Sequence, residues 1–221
     1  MRKFLYENSL SLVLLGITLL TLAGNAIMGH KQYNEDQKDH GQPEIPLVEY
    51  LSTGHFIESV FENWESEFLQ MGAYILLTVG LRQKGSSESK SPDKSEQEEV
   101  DREPDPNRPG APWPVRRGGW VLAIYRNSLS LAFFVLFMVS FWLHAWGGAR
   151  AYNHEQELKG KPERETTLSF VTNSEFWFQS FENWQSEFLS VASIVLLSIY
   201  LRQHGSPESK PVDAPHSQTG E

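Results

Sequence analysis

Two carboxylates five residues apart, flanking an Asn-Trp pair, occur twice in this chain. Glu62 and Glu67 lie in Phe61-Glu62-Asn63-Trp64-Glu65-Ser66-Glu67-Phe68-Leu69, and Glu182 and Glu187 lie in Phe181-Glu182-Asn183-Trp184-Gln185-Ser186-Glu187-Phe188-Leu189. A carboxyl group in apolar surroundings must neutralise, find a donor or hold a cation. Asn63, Asn183, Ser66 and Ser186 are donors close by. A third acidic series, Glu58, Glu62 and Glu65, has i, i+4 and i+7 spacing on one helix face, where like charges repel. In the second copy Phe178 and Gln185 replace Glu58 and Glu65, so only Glu62/Glu182 and Glu67/Glu187 are matched. Two chemistries follow. The matched acids form a proton or cation site, or they are polar glue between helices. Glu62, Asn63, Glu67, Glu182, Asn183 and Glu187 are the candidate site on either reading.

The depth of these groups follows from the elements that carry them. Phe68–Leu81 and Phe188–Leu201 are apolar runs of 14 residues each, roughly 21 Å as helix. That is too short to span a bilayer. No Pro or Gly interrupts the chain between Phe56 and Met71 or between Ser174 and Leu201, so each run is expected to be the second half of a longer helix, with Thr53 and Asn173 as nearby N-caps. Counted back from Arg82, Glu67 lies 15 residues along the helix, roughly 22 Å into a hydrocarbon core about 30 Å thick. Glu62 then sits at the outer boundary. Trp64 and Trp184 fit an outer aromatic belt, and Arg82 and Arg202 fit basic anchors that snorkel to the opposite headgroups.

Leu10–Met28 and Ser128–Trp146 are each 19 residues without Asp, Glu, Lys or Arg, long enough to cross. With the other two segments they make a pattern that recurs. Tyr6-Glu7-Asn8-Ser9-Leu10-Ser11-Leu12 returns as Tyr125-Arg126-Asn127-Ser128-Leu129-Ser130-Leu131, Tyr33-Asn34 as Tyr152-Asn153, and Leu81-Arg82-Gln83-Lys84-Gly85-Ser86 as Leu201-Arg202-Gln203-His204-Gly205-Ser206. Arg2-Lys3 before an apolar run resembles a secretory signal. The same opening recurs at 127–146, inside the chain, which argues against cleavage. The expected organisation is repeat 1 over 1–90 (helices about 8–28 and 56–82), a disordered linker over 83–119, repeat 2 over 120–203 (helices about 126–147 and 174–202), and a disordered tail over 204–221. The linker holds six prolines from Pro92 to Pro114 and no apolar periodicity. Trp113, beside Arg116 and Arg117, reads as a headgroup-level anchor.

Thirteen Lys and Arg fall in the N-terminus, linker and tail, against six in the two outer loops. Both termini are therefore expected to face the cytoplasm. The formal net charge of −9 argues against nucleic acid, and the absence of cysteine removes disulfide and thiolate chemistry. His55/Glu58 and His154/Glu157 have i, i+3 spacing but do not align between copies. No Glu-x-x-His pair, phosphate loop or nucleophile elbow is present. No catalytic residue, metal site or cofactor is expected.

The segments at 61–69, 181–189, 81–86 and 201–210, together with Trp113-Pro114-Val115-Arg116-Arg117-Gly118-Gly119, resemble a bacterial family of small multi-pass membrane proteins of unknown function. The resemblance covers nearly the whole chain. It implies a protein of the bacterial cytoplasmic (inner) membrane and lends no functional residues. The expected fold is an all-α integral membrane protein of four transmembrane helices, two tandem two-helix repeats about a pseudo-two-fold axis along the membrane normal. The expected partners are the lipid bilayer and further copies of this chain or other membrane proteins. Three functions follow in order: a non-enzymatic envelope scaffold or stress-related protein, a small proton or cation transporter or channel built on the matched carboxylates, and a membrane enzyme with an outer-face site.

Overall fold

The computed structural model describes residues 2–93, 101–161 and 164–220. They form nine helices and no strand among the described residues: α1 (Arg2–Glu7), α2 (Ser9–Asp39), α3 (Leu47–Tyr50), α4 (Gly54–Gly80), α5 (Trp113–Arg117), α6 (Gly119–Tyr125), α7 (Ser128–Leu158), α8 (Thr167–Phe170) and α9 (Ser174–Tyr200). Two of them, α2 and α7, are long and apolar enough to cross a membrane. Their most apolar stretches are 0% and 17% buried within the chain. The core helix of a water-soluble domain would bury that surface instead.

α4 and α9 occupy nearly the expected ranges. Thr53 Oγ1 accepts the Phe56 N–H at 3.3 Å, and Asn173 Oδ1 accepts the Glu175 N–H at 3.0 Å, so both expected caps close the first turn. α2 and α7 run well past the expected ends at 28 and 147. Polar residues follow the apolar runs, but none breaks a helix until Gly41 and Gly160. Those glycines take left-handed φ of 73° and 67°. The Gln42 N–H then reaches the Gln37 carbonyl at 2.8 Å, and the Lys161 N–H reaches that of Gln156 at 2.9 Å. This is the glycine-terminated Schellman end, built alike at matched positions.

Division by sequence halves is not the division the chain adopts. One compact unit holds Met1–Trp64 and Ser140–Gln179, and the other holds Glu65–Val139 and Ser180–Glu221. Each draws on both halves because α4, α7 and α9 each contribute to both units.

In the first unit the outer loops return onto the helices they leave. Asn34 Nδ2 donates to the Ile45 carbonyl and its Oδ1 accepts the Ile45 N–H, both at 3.0 Å. Asn153 does the same to Glu165, at 2.8 and 2.6 Å. Each amide satisfies both backbone groups of one loop residue, which brings α3 and α8 back over the helix ends. Tyr50 and Phe170, at matched positions, are fully buried. They lie against Gly29 and Gly148, where a Cβ would come within 2.2 Å of the Tyr50 hydroxyl and 2.3 Å of the Phe170 ring. Phe176, His144 and Phe141 complete the cluster, with ring centroids at 4.5 Å (His144–Phe176) and 5.1 Å (Phe141–Phe176). Backbones touch where α4 meets α7: a Cβ on Gly147 would stand 2.6 Å from the Glu58 nitrogen, and one on Gly54 would stand 2.4 Å from the Ala151 nitrogen.

In the second unit the expectation of disorder over 83–119 and 204–221 gives way, where the chain is described, to built turns. Residues 94–100 of that linker lie outside the described residues. After α4 and α9 the chain turns alike: Ser89 Oγ accepts the Gln83 N–H at 2.8 Å, and Ser209 Oγ accepts that of Gln203 at 2.9 Å. Gly85 and Gly205 supply φ of 88° and 81°. The tail then folds around one cation. The Lys210 ammonium, buried, donates to the carbonyls of Gly85, Gln218 (2.9 Å), His216 (3.2 Å), Pro215 (3.4 Å) and Ile199 (3.5 Å). Burial, with the neighbouring Arg202 charge, pushes this lysine below its usual range. Composition reads such a segment as solvated because the stabilising groups are main-chain carbonyls, which carry no sequence signature.

The glycine contacts make a sharp expectation. Gly147→Ala should cost about 1–3 kcal/mol, because the added methyl meets backbone that cannot step aside. Gly16→Ala, with nothing within 4 Å of its Cβ, should be neutral or stabilise the helix by up to about 1 kcal/mol. Thermal unfolding of the two variants in detergent, followed by size-exclusion, would separate them.

Candidate functional site

None of the four matched acids is fully buried. Glu62 is half-buried, and Asn63 is exposed and donates Nδ2 to the Ser59 carbonyl at 2.9 Å. Trp64 lies edge-on to Phe61 at 5.3 Å and is 37% exposed. In the other copy Glu182 is exposed, Asn183 and Trp184 are half-buried, and Trp184 meets Phe181 at 5.4 Å. Glu67 is exposed and Glu187 half-buried, and the Glu67 charge acts on Glu187. Trp113 opens α5 and is largely exposed. Arg82 donates Nη1 to the Val79 and Leu81 carbonyls (3.1 and 2.9 Å), and Arg202 donates Nη1 to those of Ser198, Ile199 and Leu201. Both guanidiniums thus close the free carbonyl ends of their own helices.

Of the two acids without a matched acid, Glu65 is fully buried and Glu58 is half-buried. In the first unit Glu58 Oε1 accepts from Gln179 Nε2 at 2.9 Å, and Gln179 Oε1 stands 3.1 Å from His144 Nε2. With the amide nitrogen donating to the carboxylate, its oxygen accepts, so His144 carries its proton on Nε2. His144 is fully buried. In the second unit Glu65, fully buried, accepts from Ser180 Oγ at 3.2 Å. The asymmetry that set these acids aside in the sequence is itself the signal that identifies them. An acid present in one copy and apolar or amide in the other lines an interior that the two copies share unequally.

His55 and His154, paired by spacing with Glu58 and Glu157 in the sequence, are hydrogen-bonded instead to Tyr50 and to Tyr33 and Gln37. A cleft of about 280 Å³ in the first unit is lined by Tyr33, Asp36, His55, Arg150, His154 and Glu175 among others. Tyr33 lies among the histidines: it stacks on His154 (5.5 Å, 19°) and meets His55 at 5.7 Å. The Tyr33 hydroxyl is 2.9 Å from His154 Nε2, which also stands 3.0 Å from Gln37 Oε1. The Tyr50 hydroxyl is 3.0 Å from His55 Nδ1. Burial, with the nearby Tyr33, pushes the Tyr50 phenol up to about 12, so it stays protonated at neutral pH. The cleft's cations are engaged as well: Lys159 pairs with Glu155, and Arg150 lies over the Trp146 ring at 4.8 Å. Among the described residues no group of three or more His, Asp or Glu could hold a metal. His55 and His154 lie 99 positions apart in the sequence, on α4 and α7, which pack backbone to backbone at Gly54 and Ala151 beside the cleft.

A family model described as "Domain of unknown function (DUF6766)" matches residues 1–221. No curated protein and no solved structure matches the chain.

The central link of the buried chain is Gln179. Gln179→Leu should destabilise by about 1–3 kcal/mol, since it strands a half-buried carboxylate and a fully buried imidazole. Glu58→Gln keeps an acceptor oxygen for Gln179 and should cost under about 1 kcal/mol. Thermal midpoints in detergent check the order, and equal effects would remove Gln179 from its central place.

Proposed function

We propose that this chain, which belongs to the DUF6766 family, is a non-enzymatic scaffold of the bacterial cytoplasmic membrane. In this reading α2, α4, α7 and α9 all span the bilayer, as two tandem two-helix repeats about a pseudo-two-fold axis along the membrane normal. The linker and both termini face the cytoplasm, on the side richer in Lys and Arg. The observation that carries the reading is the division of labour among side chains. The long helices leave their large apolar groups uncovered: Leu14, Leu15 and Leu20 on α2, Leu76 and Val79 on α4, Phe134 and Val135 on α7, and Leu196 and Leu197 on α9. The polar groups inside are bonded to one another: Asn34 to Ile45, Asn153 to Glu165, Glu58 to Gln179 to His144, Ser180 to Glu65. Apolar surface of this extent suits lipid. Interior groups held by each other serve the architecture. At 27 and 31 residues the helices reach about 40 and 46 Å, enough to cross a core of about 30 Å. In the histidine cleft one nitrogen of His55 is held by Tyr50, and one of His154 by Tyr33 and Gln37, which supports a structural part for these contacts.

The absence of native cysteine makes the topology directly testable. Single substitutions Gln42→Cys and Glu157→Cys should react with a membrane-impermeant maleimide in spheroplasts, and Asp105→Cys and Asp213→Cys only after permeabilisation. Labelling of all four from one side would overturn the four-span arrangement.

One observation favours a second reading, a proton or cation transporter: the matched carboxylates Glu67 and Glu187, from the two copies, lie in the same compact unit. Under the scaffold reading, protein in liposomes carries no proton or cation flux. A flux in the parent that disappears in the Glu67→Gln/Glu187→Gln double variant would replace the scaffold with the transporter.

A further inference from the structure

The Tyr50 side chain is fully buried, and its hydroxyl meets one partner among the described residues, His55 Nδ1 at 3.0 Å. A Cβ on Gly29 would stand 2.2 Å from that hydroxyl, so α2 closes its other side. A buried O–H with one neighbour has to donate to it. Nδ1 is therefore the lone-pair nitrogen, and neutral His55 carries its proton on Nε2. A second proton must go to Nδ1. The bond then reverses: Nδ1–H donates to the phenol oxygen, and the phenol proton is left buried without an acceptor. The matched loop lacks both groups. Phe170 stands for Tyr50, and Glu175 stands for His55. The backbone of the two loops is otherwise held alike. The Tyr50 N–H bonds the Pro46 carbonyl at 3.0 Å and the Thr53 N–H that of Tyr50 at 2.9 Å; the Phe170 N–H bonds the Thr166 carbonyl and the Asn173 N–H that of Phe170, both at 2.9 Å.

The charges around His55 come from every neighbouring element. Tyr33 and Asp36 face the cleft from α2, and His40 from just past its end; Arg150, His154, Glu155 and Lys159 face it from α7, and Glu175 from α9. Glu49 lies on α3 and Glu58 three positions further along α4. Asp36 favours a proton on His55 and a charged His154 opposes one. Acids and bases thus face the cleft together, and the Tyr50 bond decides. Two other histidines take up a proton without reversing a bond. His30 Nε2 faces the Ile45 carbonyl at 2.7 Å, and His154 Nε2 faces Gln37 Oε1 at 3.0 Å, so both are N–H donors in either state. We infer that Tyr50 and His55 form an acid-sensitive latch on residues 46–52, seated while His55 is neutral and released when it is protonated. The Asn34 clamp at Ile45 and the Thr53 cap do not titrate, so they confine the movement to the residues between them. Release takes Tyr50 out of the Gly29 notch and uncovers the Tyr33 and Phe56 rings, now 5.6 and 5.5 Å from its own. That the loop meets acid on the outside of the cell rests on the topology proposed above, in which His55 lies beyond Glu62 and outside the hydrocarbon; the latch itself does not.

In the released loop the imidazole titrates as an ordinary histidine, at about pH 6.5. Below that pH the released state binds a proton that the seated state resists, so release grows as the pH falls. Hydrogen exchange of the purified full-length chain in detergent tests this, read at about pH 7.5 and about pH 5.5 and corrected for intrinsic rates. The amides of Glu49 to Thr53 should lose protection by about five- to tenfold, roughly the most that one imidazole supplies over that interval. Those of Phe170 to Asn173, the matched loop, should hold theirs within about twofold. His55→Asn, whose Oδ1 takes the place of Nδ1 as acceptor, and Tyr50→Phe should each bring the first loop to the behaviour of the second. Equal protection of the first loop at both pH values, equal loss from both loops, or a response that survives either substitution would overturn the inference. The first two outcomes are read on the parent chain, so a variant that fails to fold leaves the latch refutable. All are read in detergent and none depends on which way the loop faces, so failure of the latch and failure of the four-span reading are told apart.

Discussion

A polar side chain carried into an apolar helix assembly must find a partner, and in this molecule the partners decide where each helix goes. Leucine-rich surfaces pack against one another, or against lipid, almost without preference. A carboxylate, an imidazole or an amide tolerates few neighbours, because leaving one alone costs more than most apolar contacts return. Glu58, Gln179 and His144 join residues of α4, α9 and α7 into one bonded series, and Asn34 and Asn153 draw their loops back to the helices they leave. The fold is specified by a small number of obligate bonds set in a large area of permissive packing.

Glycine determines how closely those bonds can form. At Gly147 and Gly54 the backbones of α4 and α7 come into contact, so the Glu58 side chain starts close to the groups it must reach. Gly29 and Gly148 serve a different purpose, opening seats for Tyr50 and Phe170. The ring of a short loop helix fills the notch left by a missing side chain, and the loop above is fixed by its Asn clamp. Tyr50 and Phe170 differ only in a hydroxyl. On the Tyr50 side that hydroxyl meets His55, and the aromatic layer there continues into the histidine cleft. On the Phe170 side the layer runs through Phe176 to His144 and meets Tyr152. Two similar scaffolds thus carry different chemistry at their outer ends.

Much of this was legible in the sequence. Length, apolar run and absence of Pro or Gly placed α4 and α9 within a few residues, with Thr53 and Asn173 as their caps, because those signals are local. The ends of α2 and α7 were not legible from hydropathy, which stops at Met28 and Trp146, although Gly41 and Gly160 marked where the backbone could change hand. The acids were harder. Matching between the two copies singled out Glu62, Glu67, Glu182 and Glu187, and the structure leaves these half-buried or exposed while fully burying the unmatched Glu65. Identity between copies reports what both need, whereas burial depends on which helix lies opposite, and that is a long-range fact. The same holds for His55 and His154, on helices packed together at Gly54 and Ala151, and for Lys210, whose partners are carbonyls of any residue type.

The cage around Lys210 gives the last stretch of chain a task beyond filling solvent. Three of the five oxygens around its ammonium belong to Pro215, His216 and Gln218, and the Gly220 N–H and Thr219 hydroxyl engage the first inner turn at Ser86 and Gly85. Trimming the polypeptide after Ala214 would strip the cation of most of its coordination and strand it beside the Arg202 guanidinium. The two inner turns would then lose the strap that ties them together. Engineering work on this protein therefore does better to attach handles and reporters ahead of Arg2 than behind Gly220.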